Sequence, residues 1–151
     1  FLLLGSNEEE GLRLINGLCN SAIQVWRSMR SGGSSEKAMP VRMTFPWGEK
    51  EFWGHEREYL WFRSLGVGPY SVCSAFMALE MWMELEVEKG RDLSELFETV
   101  LKDNDCVAAL GTCVSLILAN SQAALDVAIP FATNPYGSIF KRSNTSHGSD
   151  G

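Results

Sequence analysis

The chain has 151 residues, of which 45% are hydrophobic, with 13 Lys+Arg against 19 Asp+Glu and a net charge of −6. That is one domain's worth of polypeptide with an ordinary globular composition, long enough to bury most of the surface its unfolded form exposes. Residues 1–66 balance at eight charges of each sign and residues 67–151 carry five basic against eleven acidic, so the second half repels phosphate backbones and general nucleic-acid binding is excluded.

The chain opens on Phe1, Leu2, Leu3 and Leu4, with neither an initiator methionine nor the basic start of a signal peptide, and a piece of a longer protein is expected. Ser6 and Glu9 have capping-box spacing, and Leu12, Ile15, Leu18, Cys19, Ala22, Val25, Trp26 and Met29 repeat with helical period. A long helix to about Arg30 follows. Residues 31–38, rich in Gly and Ser, form a flexible linker. Across 39–53, Val41, Met43 and Phe45 alternate with Arg42 and Thr44, Pro46 to Gly48 supply a turn, and Glu51 to Trp53 return, so a small β-hairpin inserts there. Two strands are marginal alone, and Phe45, Trp47, Phe52 and Trp53 must lean on helices. Residues 55–65 then suit a short helix with Tyr59 and Phe62 inward, stopped at Gly68-Pro69.

From Val72 to Asn120 the pattern is helical packing. Val72, Ala75, Phe76, Leu79, Trp82, Met83 and Leu85 share one face, while Glu80, Glu84 and Glu88 line another, expected to be solvated. Lys89 and Gly90 end that helix. Asp92 with Glu95 caps the next, whose stripe is Leu93, Leu96, Phe97, Val100 and Leu101, and the short link predicts an antiparallel helical hairpin. Asp103, Asn104 and Asp105 offer caps to a third helix, uncharged from Cys106 to Leu125. Its strongly apolar part stops at Ala119, short of the roughly 20 residues a membrane span needs, so it reads as a central buried helix. Gly111, Ser115 and Ala119 make a small-residue stripe suited to a close helix contact. Beyond Pro130 a short apolar piece ends at Asn134-Pro135, and residues 138–151 form a polar tail expected to be disordered.

These elements predict a mainly α chain, one domain over residues 1–137 built as an antiparallel helical array, solenoid-like or an irregular bundle. If it is a slice of a longer array, the bare edges where another surface would dock are Phe1, Leu2, Leu3, Leu4, Ala124, Leu125 and Phe131. The expected partners are other helices of the same longer chain or another protein, with no nucleic acid and no membrane.

Few residues offer chemistry. Cys19, Cys73, Cys106 and Cys113 lie in apolar helical stretches without a paired spacing, so buried free thiols in a reducing cytoplasm are expected, with no zinc cluster and no disulfide framework. Asn144 to Ser146 match a glycosylation sequon without a secretory signal to support it. Of two histidines, His147 lies in the tail, which leaves His55 as the sole general base available to an alternative reading, a small hydrolase or transferase. Gly66 to Pro69 lack the Lys-Ser/Thr ending of a phosphate loop, and the acidic run Glu80, Glu84, Glu86, Glu88 lacks the Glu-x-x-His spacing of carboxylate-bridged bundles. No cofactor, no metal and no catalytic residue is assigned.

The succession LRLINGLCNSAIQVW, PVRMTFPWGEKEFWGHEREYLWFR, SAFMALEMWMELEVEKGRD and NDCVAALGTCVSLILAN, with Pro46-Trp47-Gly48, Trp53-Gly54 and Ala78-Leu79-Glu80-x-Trp82 as its marks, resembles the helical region downstream of the ATPase in large bacterial STAND-type proteins. The likeness spans roughly Leu12 to Asn120. It implies a sensor or scaffold beside a P-loop NTPase, in some such proteins in antiviral defence. No catalytic residue transfers, because none of the NTPase motifs is present. Nor does a confidently alignable internal repeat occur.

Overall fold

In the computed structural model, residues 2–31, 39–63, 69–120 and 125–132 are described. The linker expected at 31–38 and the tail at 138–151 lie outside them, apart from Ser31, which closes a helix. A five-residue helix α1 (Leu2–Ser6) breaks at Asn7 and gives way to the 24-residue α2 (Glu8–Ser31). Asn7 is the cap: its Oδ1 accepts the Glu10 N–H at 3.2 Å. The Ser6 hydroxyl, expected in that role, donates instead to the Leu3 carbonyl at 3.4 Å and stays with α1. Glu8, Glu9 and Glu10 fill the first turn of α2, where the helix dipole favours anions.

On α2, Leu12, Ile15, Cys19 and Ile23 are buried and Ala22 and Trp26 pack at the edge of the core, but Leu18, Val25 and Met29 are exposed. The apolar arc of this helix is wider than the surface its neighbours cover. Leu4 lies over Gly11 so closely that a Cβ there would stand 2.8 Å from Leu4 Cδ2.

Strands β1 (Val41–Phe45) and β2 (Gly48–Phe52) form the expected antiparallel hairpin, pairing Val41 with Phe52 and Phe45 with Gly48 around Pro46 and Trp47. Met43, Phe45 and Phe52 are buried, and Phe45 stacks on Trp47 with ring centroids 4.7 Å apart. A second attachment follows at once. Trp53 makes an isolated parallel bridge to Cys106, its N–H donating to the Asp105 carbonyl at 2.7 Å and its carbonyl accepting from the Val107 N–H at 3.0 Å. Gly54 then turns with φ 127°, a conformation that side chains rarely adopt, and a Cβ there would meet Val107 Cγ2 at 2.5 Å. Helix α3 (Glu56–Tyr59) and a 3₁₀ turn at Leu60–Arg63 bury Tyr59, Trp61 and Phe62.

Helix α4 (Tyr70–Glu88) begins at Pro69, which is its N-cap rather than its first helical residue. It buries Val72, Cys73, Ala75, Phe76, Leu79, Trp82 and Met83, whereas Leu85, expected among them, is exposed on the far side. Glu80 departs from the solvated face as well: half-buried, it accepts the Ser115 hydroxyl at 2.6 Å. Gly90 closes the helix at φ 92° and Arg91 N–H returns to the Glu86 carbonyl. Asp92 caps α5 (Leu93–Leu101) through the Glu95 N–H at 3.2 Å, and the five-residue stripe is wholly buried, as the spacing predicts.

The helical hairpin is not the main contact, however. Helix α5 packs chiefly on α6 (Val107–Ala119), and α4 finds its partners in α2 and α6. Cys106, not an acidic residue or Asn104, occupies the N-cap of α6, without a side-chain capping bond. Residues Val107 to Cys113 are buried without exception, making α6 the central helix, and a last helix α7 (Leu125–Ala132) brings Phe131 against Phe45 and Phe97. At Gly111 the close approach is real but its partner is the Phe62 ring of the 3₁₀ turn, not another helix backbone. The chain is therefore mainly helical, with one small two-stranded sheet among the described residues, and no described helix is long and apolar enough to cross a membrane.

Gly111→Leu should destabilise the fold by about 1–3 kcal/mol, since Phe62 must be displaced from a filled core. Glu84→Gln, on the exposed face, should stay within about 0.5 kcal/mol. Chemical denaturation of both variants checks the ranking, and a reversed order would misplace the two faces.

Candidate functional site

The densest polar constellation gathers around residues 102–106, the link between α5 and α6. Asn20, on the inner flank of α2, donates from Nδ2 to the Asp103 carbonyl and accepts the Asp105 N–H at Oδ1, both at 2.8 Å. Lys50 of β2 donates to the Lys102 carbonyl at 3.0 Å and to Asp105 Oδ1 at 2.9 Å. Asn104 is fully buried. Its Oδ1 accepts the Cys106 N–H and its Nδ2 donates to Asn16 Oδ1, each at 3.1 Å. A backbone N–H can only donate, so the Cys106 contact fixes which end of the Asn104 amide faces Asn16, and that in turn points the Asn16 Nδ2 away from Asn104.

Beside this network runs a groove of about 720 Å³ between the first half of α2 and the end of α5, within the size range of ligand sites. Asn16 and Asn20 lie on one wall and Glu98, Thr99, Lys102 and Asp103 on the other. At one end Glu8 binds Arg91 through two contacts at 2.9 and 3.0 Å, tying α2 to the turn before α5. Hydrogen bonding to Glu8 lifts the Arg91 guanidinium above its usual value. Glu86 is held below the ordinary carboxylate range, first by Lys89 and then by Arg91, so whatever stability it lends is complete above that range and is lost as pH falls through its folded value.

His55 lies at the other side of the hairpin junction. Its ring meets Trp26 edge-on with centroids 4.9 Å apart, and its backbone N–H donates to Glu58 Oε2 at 3.2 Å. All four cysteines are free and buried. Burial pushes the Cys19 thiol up to about 12 and raises those of Cys106 and Cys113 well above the ordinary thiol value, which is the reverse of what a thiolate nucleophile requires. Among the described residues no group of three His, Cys, Asp or Glu gathers in metal-binding geometry.

The expected docking edge divides. Leu3 is 41% exposed, but Leu4 and Phe131 are only 3% and 5% exposed and belong to the core. Phe1 and Ala124, with the side chains of Leu2 and Leu125, lie outside the described residues. The exposed apolar surface sits on helix backs instead. Leu14, Leu18, Val25 and Met29 follow one side of α2, and Tyr70, Met77, Met81 and Leu85 follow the outer side of α4. Sequence reasoning missed Asn16 and Asn20 altogether. Their signal was present, two amides four residues apart inside an otherwise apolar arc.

Comparison with family models, with curated proteins and with solved structures gave no match.

Asn104→Ala should cost about 1–3 kcal/mol for each buried group left unpaired, the Cys106 N–H and the Asn16 amide. Thermal or urea unfolding measures this, and a loss below about 0.5 kcal/mol would deny the network its structural role. At pH 8 a thiol reagent should label Cys19, Cys106 and Cys113 only as fast as the chain opens; rapid stoichiometric labelling of the native protein would show that burial does not protect them.

Proposed function

We propose that the chain is a non-catalytic helical scaffold or recognition module that acts by packing against further helices of a larger protein. The observation that carries this reading is the apolar outer side of α4, where Tyr70, Met77, Met81 and Leu85 lie opposite a fully committed core face. A helix apolar on both sides is suited to sit between neighbours, and methionine adapts well to irregular partner surfaces. The α2 stripe supplies a second such surface. The resemblance to STAND-type helical regions supports placing the module next to an NTPase as a sensor or regulator, in a cytoplasmic setting.

The alternative, a hydrolase or transferase using His55, draws less support. Its ring is engaged by Trp26, and the three thiols with raised values are poor nucleophiles. His55→Ala should leave any activity of the parent protein within a few-fold, against the roughly 10²- to 10⁴-fold that a lost proton transfer costs.

Sedimentation and apolar-dye fluorescence test the packing surfaces directly. The chain should self-associate with rising concentration and bind the dye, and Met77→Gln with Met81→Gln should reduce both while leaving unfolding within about 0.5 kcal/mol. A chain that is monomeric and dye-silent at every concentration would remove the basis of this reading.

A further inference from the structure

The α2–α5 groove holds a polar group that the fold does not use. Asn16 is only 7% exposed, yet it lines the groove, and its recorded hydrogen bond uses Oδ1 alone. The Cys106 N–H sets the Asn104 amide and Asn104 sets Asn16, so Nδ2 is presented toward the groove as a fixed donor with no partner among the described residues. Water reaches Nδ2 at the groove, and an acceptor brought by a ligand would take the place of that water.

The charges around it are equally specific. Four carboxylates and two cations line the groove; Glu8 is committed to Arg91, whereas Glu98 and Asp103 make no side-chain hydrogen bond or ion pair among the described residues. The ligand is thus a neutral carbonyl acceptor joined to a cation. The geometry points to an extended peptide segment of a protein partner, its backbone carbonyl accepting from Asn16 Nδ2 and a lysine or arginine side chain lying between Glu98 and Asp103. A peptide suits a groove of this volume better than an anion or a nucleic acid, which the carboxylates would repel. This inference rests on the recognition-module reading and specifies one partner chemistry for it.

The test uses the isotope-labelled full chain and two tripeptides blocked at both ends, one with lysine and one with glutamate between glycines. The lysine peptide should shift the Asn16 side-chain NH₂ signals saturably, and the glutamate peptide should not. Asn16→Asp keeps an acceptor for Asn104 and replaces the donor by an oxygen, so it should weaken the lysine peptide roughly tenfold, about the worth of one hydrogen bond. Simple charge attraction predicts the opposite, tighter binding from the added carboxylate. Glu98→Lys, on the exposed rim, should abolish the preference for lysine without touching the core, and it serves if the Asn16→Asp variant does not fold. Absence of a saturable shift, equal response to both peptides, or tighter binding by Asn16→Asp overturns the proposal. Its failure with self-association intact would leave the packing surfaces standing and remove only the groove.

Discussion

Where the link between α5 and α6 dips into the core its N–H and C=O groups must be satisfied without water, and in this protein that demand falls on Asn104 and Cys106. Water cannot reach Asn104, so hydrogen bonds must come from elsewhere in the chain. They come from α2 through Asn16 and Asn20, from β2 through Lys50 and from the hairpin exit through Trp53. Apolar burial supplies the bulk of the driving force, but it is non-directional. The polar contacts decide where α2 and the hairpin sit against α6, and hence which sides of α2 and α4 are left outward.

The two kinds of surface thereby have one origin. Helix α2 is held by its amides at a fixed rotation, which turns Leu14, Leu18, Val25 and Met29 out of the core and places Asn16 at the groove. A rotation that buried more of the leucines would tear Asn20 from Asp103 and Asp105. Directional bonds therefore override part of the apolar arc, and the exposed stripe is the consequence.

Periodicity read the elements well where one face dominates. The α5 stripe, the Asp92 cap, the hairpin and the burial of Tyr59 and Phe62 all follow from local spacing. It failed where the outcome depends on partners distant in sequence. Leu18 lies within the apolar arc of α2 and Leu85 within that of α4, but both stay exposed because the neighbouring elements do not cover them, and Glu80 leaves its acidic neighbours because Ser115 offers it a hydroxyl. Asn7 displaced Ser6 as the cap by a shift of one residue, and Gly111 proved to receive an aromatic ring. The groove was invisible for the same reason. Its walls come from α2 and α5, which meet only in the fold, and the spacing of Asn16 and Asn20 within the α2 arc does not show what faces them.

The amide contacts of α2 carry a kinetic consequence. Hydrogen bonds joining α2 to the 102–106 link span 83, 85 and 88 residues, so before that link is present the nearer partners of α2 are ring contacts such as Arg27 on Trp53 and Trp26 on His55. Contacts of such long separation form late, because loop closure must precede them. During synthesis the first helix and the hairpin emerge with their apolar sides bare and wait for α6. Cooperative assembly thus begins at the carboxyl-terminal half, where α5 and α6 meet locally, and the older part of the chain docks onto the younger.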